Sequence, residues 1–172
     1  MGLEITQDRI AVVWTVLDTL CDPEIPVLTL RDLGIVRDVR VAKDSVLEVV
    51  ITPTYSGCPA ISQIEDDIRA TLSAHQIEGS VVTQLSPAWT TDWMSAQGKE
   101  KLREYGIAPP HTVKRVVDVV RFAVSPPSPE PVACPRCESM NTVESARFGS
   151  TACKALYRCL ACKEPFDYFK SY

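Results

Sequence analysis

Two CxxC pairs, Cys134-Pro-Arg-Cys137 and Cys159-Leu-Ala-Cys162, stand 21 residues apart near the end of a 172-residue chain. An ion held by thiolates needs four sulfurs at the corners of a tetrahedron, and two tight turns that each deliver two sulfurs meet that demand. A shell closed by four thiolates leaves no position for water, so the expected role is structural and not hydrolytic. Zinc is the ion this spacing favours, although iron or an iron-sulfur cluster uses the same four ligands. Glu138 and Lys163 follow the second cysteine of each pair, where a zinc knuckle commonly carries Gly. Cys153, six residues before Cys159, is either an alternative ligand or a small buried residue. His75 and His111 have no partner at ligand spacing.

A different thiol stands in the run TPTYSGCPA. Gly57 precedes Cys58 and Pro59 follows it, which places the thiol at the start of a helix, where exposed backbone N–H groups favour a thiolate. Cys58 is therefore expected to be the most reactive thiol outside the four-cysteine group. No histidine stands beside it in sequence to act as a base, so metal-ligand chemistry ranks above nucleophilic catalysis. Upstream, DPEIPVLTLRDLGIV gathers Asp22, Glu24 and Asp32, with Cys21 just before it, on a proline-kinked loop. Such a loop is either functional or a set of Asp-capped turns.

The elements that must hold these residues follow from periodicity. Ile10, Val13, Trp14, Leu17 and Leu20 fall on one helical face, predicting a helix that begins after Thr6 and ends before Pro23. The β-branched runs 35–42 and 46–52 predict an antiparallel hairpin turning at residues 43–45. Ile61, Ile64, Ile68 and Leu72 predict a second helix opening near Pro59, and residues 81–85 a third strand. A short helix is expected over 94–105, and residues 113–124 fit either a helix or a strand. The fold class is α+β: a small α-β-β-α-β layer sandwich followed by a four-cysteine, zinc-ribbon-like module. Seven of the thirteen prolines fall between Pro109 and Pro135, so the domains are read as 1–124, a Pro-rich linker over 125–131, and the ribbon over 132–172. Trp89 and Trp93, in PAWTTDWMS, are either a partner-docking surface or core.

Composition removes whole classes of function. A net charge of −4 lacks the basic footprint of a nucleic-acid binder. Residues 132–172 carry +2, which four bound thiolates and a divalent ion would bring to zero. No run of about 18 apolar residues and no apolar signal segment is present, so no membrane partner and a cytoplasmic location are expected. No Glu-x-x-His pattern suited to a di-iron bundle and no GxGxxG fingerprint occurs, which argues against an oxygenase or a flavin or nicotinamide reductase. The chain reads as a non-enzyme.

DPEIPVLTLRDLGIV followed by TPTYSGCPA resembles the metal-sulfur cluster assembly domain family, which includes SufT-type proteins. With PAWTTDWMS and the cysteine-rich tail, nearly the whole chain is similar to the PaaD (PaaJ) family, encoded with the phenylacetyl-CoA epoxidase (oxygenase) system of aerobic phenylacetate degradation. This resemblance implies maturation of iron or iron-sulfur centres in the epoxidase components. It also implies transient iron or iron-sulfur binding at Cys58 with the acidic residues Asp22, Glu24 and Asp32, and zinc in the ribbon at Cys134, Cys137, Cys159 and Cys162. The partners it implies are epoxidase components or cluster-assembly proteins, with a homodimer as a further state. The competing reading is a non-catalytic accessory subunit whose ribbon is a protein-binding scaffold.

Overall fold

The computed structural model describes residues 2–42, 46–111 and 131–171, with side chains from residue 7 onward. The chain divides into two compact units, Met1–Leu102 and Arg103–Tyr172.

The first unit opens with α1 (Gly2–Leu17), which starts ahead of Thr6. No Gly or Pro interrupts residues 3–6. Val13, Val16 and Leu17 are buried, while Ile10, Trp14 and Leu20 are half-buried. The expected hairpin is β1 (Val36–Val41) and β2 (Leu47–Ile51), antiparallel with Val39 opposite Val49, and its turn lies outside the described residues. Helix α2 (Ile61–Ala74) then carries the chain to β3 (Gly79–Thr83), which pairs parallel to β2. A parallel neighbour requires such a crossover. In the sheet order β1-β2-β3 the middle strand buries Leu47, Val49, Val50 and Ile51, as a strand covered on both faces does. Helix α2 buries Ile64, Ile68 and Leu72 and turns the Arg69–Glu65 and Arg69–Asp66 ion pairs outward.

Between α1 and β1 the chain makes a loop without regular structure whose aliphatic residues face inward. Ile25, Leu28, Leu30, Leu33 and Ile35 are all buried there. At about 1.5–3 kcal/mol for each buried aliphatic side chain, these five anchor the loop as firmly as a helix would. A single 3-10 turn (Thr91–Trp93) and α3 (Ala96–Tyr105) follow β3, matching the expected short helix.

In the second unit β4 (Ile107–Ala108), β5 (Thr142–Ala146), β6 (Lys154–Cys159) and β7 (Pro165–Phe169) form one sheet in the order β4-β7-β6-β5. Along β6, Ala155, Tyr157 and Cys159 point inward while Leu156 and Arg158 face solvent, the two-residue alternation of a one-sided sheet. Ala108, Val132, Cys134, Phe166 and Tyr168 complete this core, with the Tyr157 and Tyr168 rings edge to face at 5.5 Å. The unit thus opens at Arg103 and takes a strand from residues 107–108, well ahead of the expected start at 132. Strand β4 covers the edge that β7 would otherwise leave open. The ambiguous stretch 113–124 and residues 125–130 of the expected linker lie outside the described residues.

Candidate metal centre and transfer thiol

The four expected ligands meet. Cys134 and Cys137 flank the turn before β5, Cys159 ends β6, and Cys162 lies in the turn leading to β7. Their sulfurs all lie within 4.8 Å of one another, with Cys134 Sγ 3.8 Å from Cys162 Sγ and Cys137 Sγ 3.6 Å from Cys159 Sγ. A tetrahedral ion with metal–sulfur bonds of about 2.3 Å needs sulfurs about 3.8 Å apart, so the donor set fits a single zinc-sized ion.

The two knuckles are built alike. The Cys134 amide donates to Ser139 O at 3.0 Å, and the Cys159 amide donates to Glu164 O at 2.9 Å, the same five-residue step. Glu138 and Lys163, where Gly was expected, take the left-handed backbone themselves, at φ 60° and 69°. The turn geometry is kept, at a strain of about 1–3 kcal/mol for each residue.

The sulfurs are electrostatically unequal. The Cys162 amide, which donates to Cys159 Sγ at 3.4 Å, is the main cause that pulls the Cys159 thiol down to about 6, with the Ala161 amide and the neighbouring thiols assisting. At Cys162 the Glu164 amide favours the thiolate, but burial and the other three sulfurs push the thiol up to about 12. Four thiolates cannot crowd together without a cation between them. Cys153 stands apart, buried with its sulfur 3.0 Å from Thr151 Oγ1, and does not join the four-thiol group. His75 Nδ1 lies 2.9 Å from Thr71 O on the surface, and neither it nor His111 belongs to that group.

The second thiol contradicts the expectation that the helix start activates it. Cys58 sits three residues ahead of α2, half-buried, its amide bonded to Tyr55 O at 3.1 Å. Burial pushes its thiol up. The Ala60 and Ile61 amides work in the expected direction, but Glu24 and Asp22 add to the upward push. The fold therefore brings the lone cysteine and two of the three acidic residues together, with the opposite effect on the thiol. Asp22 is itself buried, and its Oδ1 accepts from the amides of Glu24 (2.9 Å) and Ile25 (2.8 Å). Among the described residues the four ribbon cysteines are the one group whose ligand atoms already converge on a single point. The Cys58 neighbourhood is a thiol in an acidic field, not a preformed ligand cage.

Asp32 is engaged elsewhere. Its Oδ1 accepts from Ser95 Oγ at 2.7 Å, and its Oδ2 from Lys101 Nζ at 2.7 Å and the Thr29 amide at 3.3 Å. Burial pulls the carboxyl upward, but these bonds outweigh it and hold it below the ordinary carboxylate range. Sequence reasoning does not single out Ser95 or Lys101. Ser95 precedes α3 as a helix cap should, its Oγ accepting from the Gly98 amide at 2.8 Å. Nothing local marks its bond to a residue 63 positions away. The docking role expected of Trp89 does not hold, because the side chain is buried with its indole N–H donating to Leu33 O at 3.0 Å. Trp93 is half-buried, its ring covered by the Arg37 guanidinium at 3.5 Å. Cys21 is exposed on the loop.

Comparison with known proteins agrees with this division. The iron-sulfur cluster assembly protein family matches residues 10–86, and the PaaD zinc beta ribbon domain family matches residues 124–170. A solved domain of unknown function, DUF59, from Bacillus anthracis superposes with a TM-score of 0.53 at 26% identity, covering 58% of this chain and 96% of that one. Fold and site thus define an iron-sulfur-assembly-type domain joined to a four-cysteine metal ribbon. An Escherichia coli K12 protein, named as a putative subunit of 1,2-phenylacetyl-CoA epoxidase, is 49% identical over 92% of this chain and 90% of its own length. The chain belongs to the PaaD family. A Porphyromonas gingivalis Fe-S protein maturation auxiliary factor is 35% identical over 50% of this chain and 83% of its own. Among the described residues no helix is long and apolar enough to cross a membrane.

Proposed function

We propose that this protein matures the iron or iron-sulfur centres of a phenylacetyl-CoA epoxidase system and does not itself perform the oxygenation. Cys58 is the transfer thiol in this reading. The observation that carries it is a half-buried Cys58 thiol, in the electrostatic field of Asp22 and Glu24, within an iron-sulfur-assembly-type domain. Two carboxylates make a bare thiolate costly, and they make a thiolate neutralised by a cation less so. Such a thiol rests protonated, gives up its proton when iron arrives, and recovers it when the cargo leaves. One thiolate cannot hold a cluster alone, so the client protein, a cluster-assembly protein or a second copy of the chain completes the shell.

Zinc is the proposed ion of the ribbon, held by Cys134, Cys137, Cys159 and Cys162 as a structural centre. The reaction is proposed to occur in the cytoplasm, where free thiols persist. To test the reading, epoxidase components are purified from cells that carry the wild-type protein or Cys58→Ala, and their iron and sulfide are measured. The expected result is normal component levels with depleted iron in the variant. Fully loaded components from the variant cells would reject the transfer role. The name of the Escherichia coli relative favours a second reading, an accessory subunit. Fully metallated components that stay inactive until this protein is added in stoichiometric amount would establish that one instead.

A further inference from the structure

The geometry points to Asp32 as a positioning residue: it braces the loop that carries Asp22 and Glu24 against residues 89–101, and so holds in place the carboxylates whose charge acts on Cys58. This deepens the transfer reading, on which it rests, and removes Asp32 from the iron ligands.

Asp32 is joined to the far segment by three bonds, from Ser95 Oγ and Lys101 Nζ to its carboxylate and from the Ser95 amide to its carbonyl at 2.9 Å. The packing around it leaves no slack. A Cβ on Gly98 would stand 3.0 Å from Asp32 Cβ and O, which accounts for a glycine inside α3 despite its cost of about 1 kcal/mol in a helix. Gly34 adopts φ +69°, and a Cβ there would come within 2.5 Å of Trp93 O. Trp89 closes the same seam through its bond to Leu33 O.

On the other side Asp32 grips the acidic loop. The Asp32 amide donates to Thr29 Oγ1 at 3.0 Å, and the Thr29 amide returns a bond to the carboxylate. Thr29 bridges Cys21, the residue before Asp22, and the Asp22 amide donates to Leu28 O at 2.9 Å. A continuous bonded path therefore runs from α3 through Asp32 and Thr29 to Asp22. Residues 89–101 lie beyond the stretch matched by the iron-sulfur assembly family, so the brace attaches a further segment of this chain to that domain.

The test reads the field at Cys58 in the unloaded, zinc-replete full chain. Rate constants for alkylation by neutral iodoacetamide and anionic iodoacetate are measured at one pH and low salt, with the Cys58 peptide followed by mass spectrometry. Their ratio reports nearby negative charge independently of thiolate fraction. By Coulomb's law in water, a unit negative charge at about 7 Å shifts such a ratio roughly twofold to threefold. The Asp22→Asn/Glu24→Gln double variant sets the low limit. Asp32→Ala and Lys101→Met are expected to move the ratio at least halfway to that limit, and Lys101→Arg to restore it. If Asp32→Ala does not fold, Lys101→Met and Ser95→Ala carry the test. A wild-type ratio in folded brace variants overturns the proposal, as does loss of iron capture in Asp32→Ala at an unchanged ratio, which would make Asp32 a ligand. Both outcomes are independent of whether client proteins are matured.

Discussion

Stripping the metal from the ribbon, by chelation or by Cys134→Ser, should unfold the second unit and leave the first intact. The second unit's larger buried apolar side chains are Ile107, Val132, Tyr157, Phe166, Tyr168 and Phe169. At about 1.5–3 kcal/mol each they provide roughly 9–18 kcal/mol, against about 10–16 kcal/mol for a structural four-ligand zinc. Removing the ion therefore takes away about half of what opposes the conformational entropy of the module. The loss is compounded because Cys134 and Cys159 are themselves core residues, at 1% and 0% exposure. Without the ion their sulfurs remain buried beside two further thiols and no cation.

The three tryptophans, Trp14, Trp89 and Trp93, all lie in the first unit, so a fluorescence melt reports on that unit alone. The Trp transition should move by less than about 2 °C in Cys134→Ser, a ΔΔG well under 1 kcal/mol for a domain of this size. Hydrogen exchange should show β5, β6 and β7 losing protection. A Trp transition that collapses with the metal, or ribbon amides still protected after stripping, would refute this account.

Three further outcomes follow from the geometry. Asp32 has a depressed carboxyl, so its contribution is full above the unfolded value of about 3.9 and is lost as pH falls through the lower folded one. Asp32→Asn should cost about 1–3 kcal/mol at pH 7 and flatten the acid limb of a stability curve measured by urea titration. Exposed Cys21 should be alkylated before Cys58 at neutral pH, because burial and the facing carboxylates hold Cys58 protonated; peptide mapping that finds Cys58 first would contradict the assigned field. Glu138→Gly and Lys163→Gly should each raise ribbon stability by about 1 kcal/mol in a chelator titration, since glycine takes the left-handed backbone without strain.

Elements and the convergence of the four ribbon cysteines were legible in the sequence for the same reason: each depends on neighbours within about one turn or one knuckle. Ile64, Ile68 and Leu72 mark α2 by spacing alone, and the two CxxC pairs need only tight turns to present their sulfurs. Even the missing knuckle glycines proved compatible, because Glu138 and Lys163 accept the left-handed conformation. What could not be read depends on partners far apart in sequence. Helix-start chemistry at Cys58 was visible locally, but the reversal of its effect came from burial and from Glu24 and Asp22, more than thirty positions upstream. Asp32 looked like one more acidic ligand until Lys101 and Ser95 took up both of its oxygens. Trp89 was ambiguous because burial is a property of the fold and not of the residue.

The two thiol sites differ in the property that separates holding a metal from passing one on. In the ribbon four sulfurs already lie within 4.8 Å of one another, two pairs of them near the separation a tetrahedral ion requires, so binding needs little rearrangement and dissociation must break a closed shell. At Cys58 one sulfur lies in the field of carboxylates whose ligand atoms do not converge with it, so a metal bound there in the proposed role has an incomplete shell until another molecule supplies the rest. An incomplete shell is what transfer needs, since the receiving ligands can enter before the donor leaves. The acidic field serves both directions: it attracts the cation, and once the cation has gone it returns the sulfur to its protonated state. In the proposed transfer role, a Cys58 set among amides that lowered its pKa, as its helix-start position alone would suggest, would keep iron more tightly and give it up more slowly. Burial overrules the helix, with the carboxylates adding to it, and in the proposed transfer role that balance suits release; the brace at Asp32 matters because it holds the loop that carries those carboxylates.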